Sequence, residues 1–173
     1  MTRILLVSTW FQIVWFCAVI GNDNWQPLTL LLVTATLVIS ALKTTINWYK
    51  YSLIVTLGVA VDFTNSSFGL FQFEAQQFPL WLVALWMIFA WYAHFLYPML
   101  SQYPLAVVSI VGGIGGTLSY CAGESLGAVV FGASIFTMTA ILLVEWSLII
   151  ALVIKVYGYE NSNVSRGLSR FSK

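Results

Sequence analysis

The stretch Ile135–Tyr157, IFTMTAILLVEWSLIIALVIKVY, decides the class of fold. Between Ile135 and Ile154 it carries a single charge, Glu145, and Lys155 closes the run. A helix needs roughly 20 mostly apolar residues to cross a hydrocarbon core of about 30 Å, and this stretch meets that length. Working outward, five more stretches meet or approach it: Ile4–Ile20, Pro27–Leu42, Tyr51–Phe71, Phe78–Tyr97 and Tyr103–Cys121. Short polar connections separate the first four of the six, reading GNDNWQ, KTTINWYK and QFEAQQ. The expected fold is all-α: a polytopic transmembrane bundle of six spans in one domain, residues 1–160. A short polar cytoplasmic tail, 161–173, is expected to be disordered. Ala122–Ser134 is too short and too weakly apolar to span alone. It extends the fifth helix, makes a re-entrant turn or lies at the interface.

Composition agrees. Of 173 residues, 60% are hydrophobic and 8% charged, where a soluble domain carries about 25% charged residues. No basic run is present to hold nucleic acid, and no G-x-x-x-x-G-K-[ST] loop to cradle phosphates. Two cysteines and one histidine do not supply the four clustered ligands of an ordinary zinc site, so no metal is expected. Arg3 before an apolar run resembles the start of a signal peptide. The length of the run, Trp10 and Trp15 within it, and the lack of a small-x-small cleavage site favour a retained helix.

Orientation follows from the basic residues, which are retained on the cytoplasmic side. Six spans put Arg3, Lys43, Lys50, Lys155, Arg166, Arg170 and Lys173 on one side, and these are all seven Lys and Arg of the chain. The opposite loops carry Asp23, Glu74 and Glu124. Five spans would break this partition. Both termini are therefore expected in the cytoplasm.

Charges inside a bilayer cost at least about 2.5–3.5 kcal/mol at a helix centre, so intramembrane polar groups are the candidates for function. Asp62 lies roughly 18 Å along the third segment from Lys50, counting 1.5 Å per residue. Gly58, Asp62, Asn65 and Gly69 recur at i, i+4, i+7 and i+11 and form one stripe. Glu145 lies roughly 15 Å from Lys155 by the same rise. No Lys or Arg shares that depth. Each acid is then neutral, held by hydrogen-bond donors, or facing a wet cavity. A carboxyl pair sharing one proton would suit proton relay or acid–base work; interhelical hydrogen bonding is the plainer role. His94, the only histidine, lies about 6 Å from the end of the fourth segment and reads as an interfacial anchor.

In the fifth segment, VSIVGGIGGTLSYCAGESLGAVVFG, Gly112, Gly116, Ser119, Gly123 and Gly127 recur at i, i+4, i+7, i+11 and i+15. This small-residue groove suits close helix packing, within the chain or between copies in a homo-oligomer. It also exposes backbone that a ligand can approach. Tyr120 and Glu124 are the polar pair beside it. Catalytic candidates are thus Asp62, Glu145 and Glu124; ligand-binding candidates are Asn65, Tyr120, Ser119, Gly116, Gly123 and His94. Cys17 and Cys121 map to the same outer level, either as a disulfide or as two small buried apolar groups.

Two stretches, FPLWLVALWMIFAWY at Phe78–Tyr92 and GGIGGTLSYCAGESLGAVVFG at Gly112–Gly132, carry a resemblance. With the chain length and Asp62, they resemble a family of small bacterial inner-membrane proteins catalogued as a domain of unknown function. Thr117 stands where family members usually have Pro. The resemblance implies no activity or cofactor. Its members are often encoded near enzymes that modify unsaturated fatty acids, which implies a link to lipid metabolism. The leading expectation is a lipid-associated membrane protein, enzyme or accessory subunit, with a lipid or fatty acid as ligand. A small transporter and a structural or assembly subunit are the alternatives; the absence of an evident internal repeat counts against transport.

Overall fold

The computed structural model describes the backbone of residues 2–74 and 77–171 and the side chains of 3–74 and 77–158. Its described residues form six helices: α1 Thr2–Gly21, α2 Gln26–Lys43, α3 Trp48–Ser67, α4 Leu80–Leu100, α5 Leu105–Ser125 and α6 Ile135–Phe171. The stretch 161–173, expected as a disordered tail, lies outside the described side chains. Five helices are long and apolar enough to cross a membrane: α1, α2, α4, α5 and α6. α3 has the length, but its Asp62, Thr64, Asn65, Ser66 and Ser67 lower its apolarity.

The helix boundaries have local causes. Pro79 and Pro104 stand at the caps of α4 and α5, and Pro27 opens α2, where a missing N–H costs nothing because the first N–H groups of a helix have no intrahelical partner. The Asn47 side chain caps α3 by accepting from the Lys50 N–H at 3.2 Å. α1 turns into α2 within four residues, and a side chain at Gly21 would overlap Trp25.

α4 is the hub. It packs against α1, α2, α3 and α6, and α5 pairs mainly with α6. Tryptophan N–H groups tie these helices together: Trp10 donates to Thr36 Oγ1 at 2.9 Å, Trp15 to Ser119 Oγ at 2.8 Å and Trp91 to Ser40 Oγ at 2.8 Å. Each joins two helices, which is how an indole N–H away from water must be satisfied.

The linker 122–134 extends the fifth helix at first, as one of the expected alternatives has it, and then takes a form the sequence did not suggest. α5 continues to Ser125, and the chain then turns back as a two-residue strand, β2 (Val130–Phe131). This pairs antiparallel with β1 (Phe71–Gln72), which follows α3, with Phe71 opposite Phe131. The ladder clasps the end of α3 to the α5–α6 connection. The third apolar segment, expected to run to Phe71, ends as a helix at Ser67. Gly69 follows in the left-handed region at φ +73°, outside the helix and off the Gly58–Asp62–Asn65 stripe.

Candidate functional site

Asp62 and Asn65 are both buried, at 2% and 4% exposure, on the face of α3 that also carries Ile54 and Gly58. Gly58 is where α4 comes closest: any Cβ there would strike the Trp86 ring. One turn further along α3, Asp62 meets that same indole. Trp86 Nε1 donates to Asp62 Oδ2 at 2.6 Å, and Tyr120 Oη of α5 donates to the same oxygen at 2.5 Å. One carboxyl oxygen thus takes donors from two other helices. Trp86 stacks flat on Trp146 of α6, with centroids 5.2 Å apart and planes 8° apart, and Tyr120 stacks on Phe71 at 5.3 Å. Gly116 gives Trp146 its slot in α5 as Gly58 gives Trp86 its slot in α3.

Glu145 does not pair with Asp62. Among the described residues the two carboxyl groups share no hydrogen bond. Glu145 Oε2 instead accepts from Asn65 Nδ2 at 2.9 Å. It sits half-buried over a groove of about 570 Å³ between α3 and α6, walled by Leu57, Val61, Leu148 and Leu152. The two acids of α3 and α6 are thus bonded separately, Asp62 by Trp86 and Tyr120 and Glu145 by Asn65, and they still interact electrostatically.

The other candidates separate. Ser119 accepts from Trp15 across the gap between α1 and α5. Gly123 is buried and lines a cavity, whereas Glu124 is half-exposed and joins none of these bonds. His94 lies at the other end, where its ring meets Phe95 and Tyr157 edge-on. Gly112, Gly113 and Gly116 press against Ile150, Ser147 and Trp146 of α6, so the first half of the small-residue face packs inside the chain. Cys17 and Cys121 are free; Thr29 donates to Cys17 and Thr139 bonds Cys121.

A cavity of about 70 Å³ opens against Trp86, Tyr120, Trp146, Trp15 and Ser119. It shares Phe11, Phe89, Ser119 and Trp146 with a larger groove of about 430 Å³, which continues past Tyr92, Gly115, Val111 and Leu96 to Tyr103. The groove is apolar because α5 leans on α6 and leaves its other side apart from α1 and α4. Its volume is that of ordinary ligand sites, and its polar groups are few: Ser119 and Trp146 at one end, Tyr92 and Tyr103 along the rest. Among the described residues, no group of three His, Cys, Asp or Glu side chains is arranged to hold a metal ion.

Trp86 and Trp146 were not singled out by sequence reading. The available signal was Trp86 near the middle of an apolar helix, where its N–H needs an acceptor and lies far from the interfacial level that tryptophans otherwise favour.

Apolar helices around a buried polar cluster define a polytopic helical membrane protein. More particularly, residues 4–152 match the family model described as Protein of unknown function (DUF2878), so the chain belongs to that family. No curated protein and no solved structure matches it.

Proposed function

We propose that this is a six-span protein of a bacterial inner membrane, with both termini cytoplasmic, that binds a single-chain lipid in the groove between α1, α4 and α5. The observation carrying this reading is the apolar groove of about 430 Å³ that ends on Ser119, where it meets the smaller cavity lined by Ser119 and Tyr120. Ser119 accepts from Trp15 and keeps its own O–H as a donor; Tyr120 donates to Asp62 and keeps its oxygen as an acceptor. A group that both accepts and donates fits between them, so the ligand is a long-chain alcohol or an un-ionised fatty acid. Asp62 is the positioning residue: buried beneath the cavity wall, it fixes Tyr120 and Trp86. α3 is the sixth span, its polar stripe turned inward to α4, α5 and α6. The gathering of all seven basic residues on one side supports the orientation.

The test is native mass spectrometry of the purified protein. Gly115 lines the groove with nothing within 4 Å of an added Cβ, so Gly115→Leu fills it without a clash inside the chain. The native protein is expected to retain one single-chain lipid, and Gly115→Leu to lose it while keeping its melting temperature. Equal retention by both would refute the reading.

A further inference from the structure

At the end of the bundle opposite the β ladder, a second cavity of about 700 Å³ brings together Arg3 of α1, Lys43 of α2, Lys50 of α3 and His94 of α4. Tyr157 of α6 and the Thr44, Thr45 and Asn47 side chains complete its wall, and among the described residues no carboxylate lines it. Two of these side chains, Lys50 and Arg3, are held by contacts within the chain. Lys50 is 9% exposed, with Nζ 3.5 Å from the Tyr157 carbonyl oxygen, which accepts from it. The Arg3 guanidinium lies 4.9 Å over the Phe95 ring. Positive side chains gathered in a concave site focus a positive potential that attracts an anion. A simple topology signal needs positive residues somewhere on this side; it does not need three helices to bring them to the wall of one cavity.

We infer that this cavity is a binding site for a phosphate group. The Arg3 fork and the Lys43 and Lys50 ammonium groups match phosphate oxygens, and the Thr44, Thr45 and Asn47 side chains supply neutral donors. The group arrives either on a lipid headgroup from the adjacent leaflet or on a soluble phosphate ester. The site lies apart from the lipid groove and does not depend on it.

The experiment measures binding of two probes to the full-length protein in neutral detergent: dioctanoyl phosphatidic acid and inorganic pyrophosphate. Arg3→Gln/Lys43→Gln is the test variant, since both side chains are largely exposed and their loss leaves the core untouched. Glu160 is the one acid the sequence puts on this side, and its side chain lies outside the described residues. Glu160→Gln is therefore measured beside the native protein, so that a carboxylate of the chain does not mask the site. Native or Glu160→Gln protein is expected to bind at least one probe, more weakly as salt rises, and the double variant to bind about tenfold more weakly or worse. Binding of phosphatidic acid alone identifies the headgroup source; equal binding of pyrophosphate identifies the soluble one. If neither probe binds either protein, or the double variant binds as well as the native, the inference is overturned.

Discussion

Asp62 is held by two donors from two other helices, Trp86 and Tyr120, and its replacement separates acceptor loss from charge loss. Asp62→Asn keeps an oxygen for both donors and is expected to fold with a small loss of melting temperature. Asp62→Leu strands two buried donors, each at a cost of about 1–3 kcal/mol, and is expected to lower the melting temperature in detergent markedly; equal melting of the two variants would contradict the geometry. The glycines sort in the same way. Gly58→Ala and Gly116→Ala drive a methyl into Trp86 and Trp146 and should destabilise by about 1–3 kcal/mol, whereas Gly115→Ala meets open space and should be close to neutral in the same unfolding assay. At this scale the sequence was partly legible. An acid in an apolar helix declares itself by its cost, and the Gly58–Asp62–Asn65 spacing puts all three on the buried face. The identity of the partners was not legible: an indole that reaches an acceptor and one that faces lipid leave the same mark in the chain.

The helices follow from the length of the apolar runs, which is why six of them emerge from composition and spacing with ends shifted by only a few residues, except that α6 runs past Tyr157 to Phe171. The β1–β2 ladder does not. Two residues per strand carry no alternation, and their pairing joins Phe71 to Phe131 across the whole of α4 and α5, a separation that no local pattern encodes. The clasp depends on Gly69, at φ +73°, and on Gly132, whose N–H donates to Leu70 O at 3.0 Å and whose added Cβ would strike the Gly69 carbonyl oxygen. Gly132→Ala is expected to open the clasp with the helices intact. Limited proteolysis should then cut between Leu126 and Ser134 faster than in the native chain, with circular dichroism unchanged.

Across the whole molecule the cations gather at one end and the lipid groove runs along the side, with the Asp62 cluster beneath one end of it. Six spans require that Asn24 and Thr45 lie on opposite sides of the membrane. In a chain with Cys17 and Cys121 changed to Ala, an impermeant maleimide added to intact cells should label Asn24→Cys and spare Thr45→Cys until the membrane is opened; labelling of both from outside would rule out the threading. The central claim, a lipid seated against Ser119 and Tyr120, is tested most directly by photolabelling in nanodiscs. The probe is a long-chain alcohol with a diazirine near its hydroxyl, and the adducts are mapped by peptide. The account predicts adducts concentrated on Trp15, Ser119, Tyr120 and Trp146, competed by unlabelled alcohol and lost in Gly115→Leu. Adducts spread evenly over the lipid-facing residues Leu31, Val38 and Phe136, unchanged by competitor and by Gly115→Leu, would contradict it.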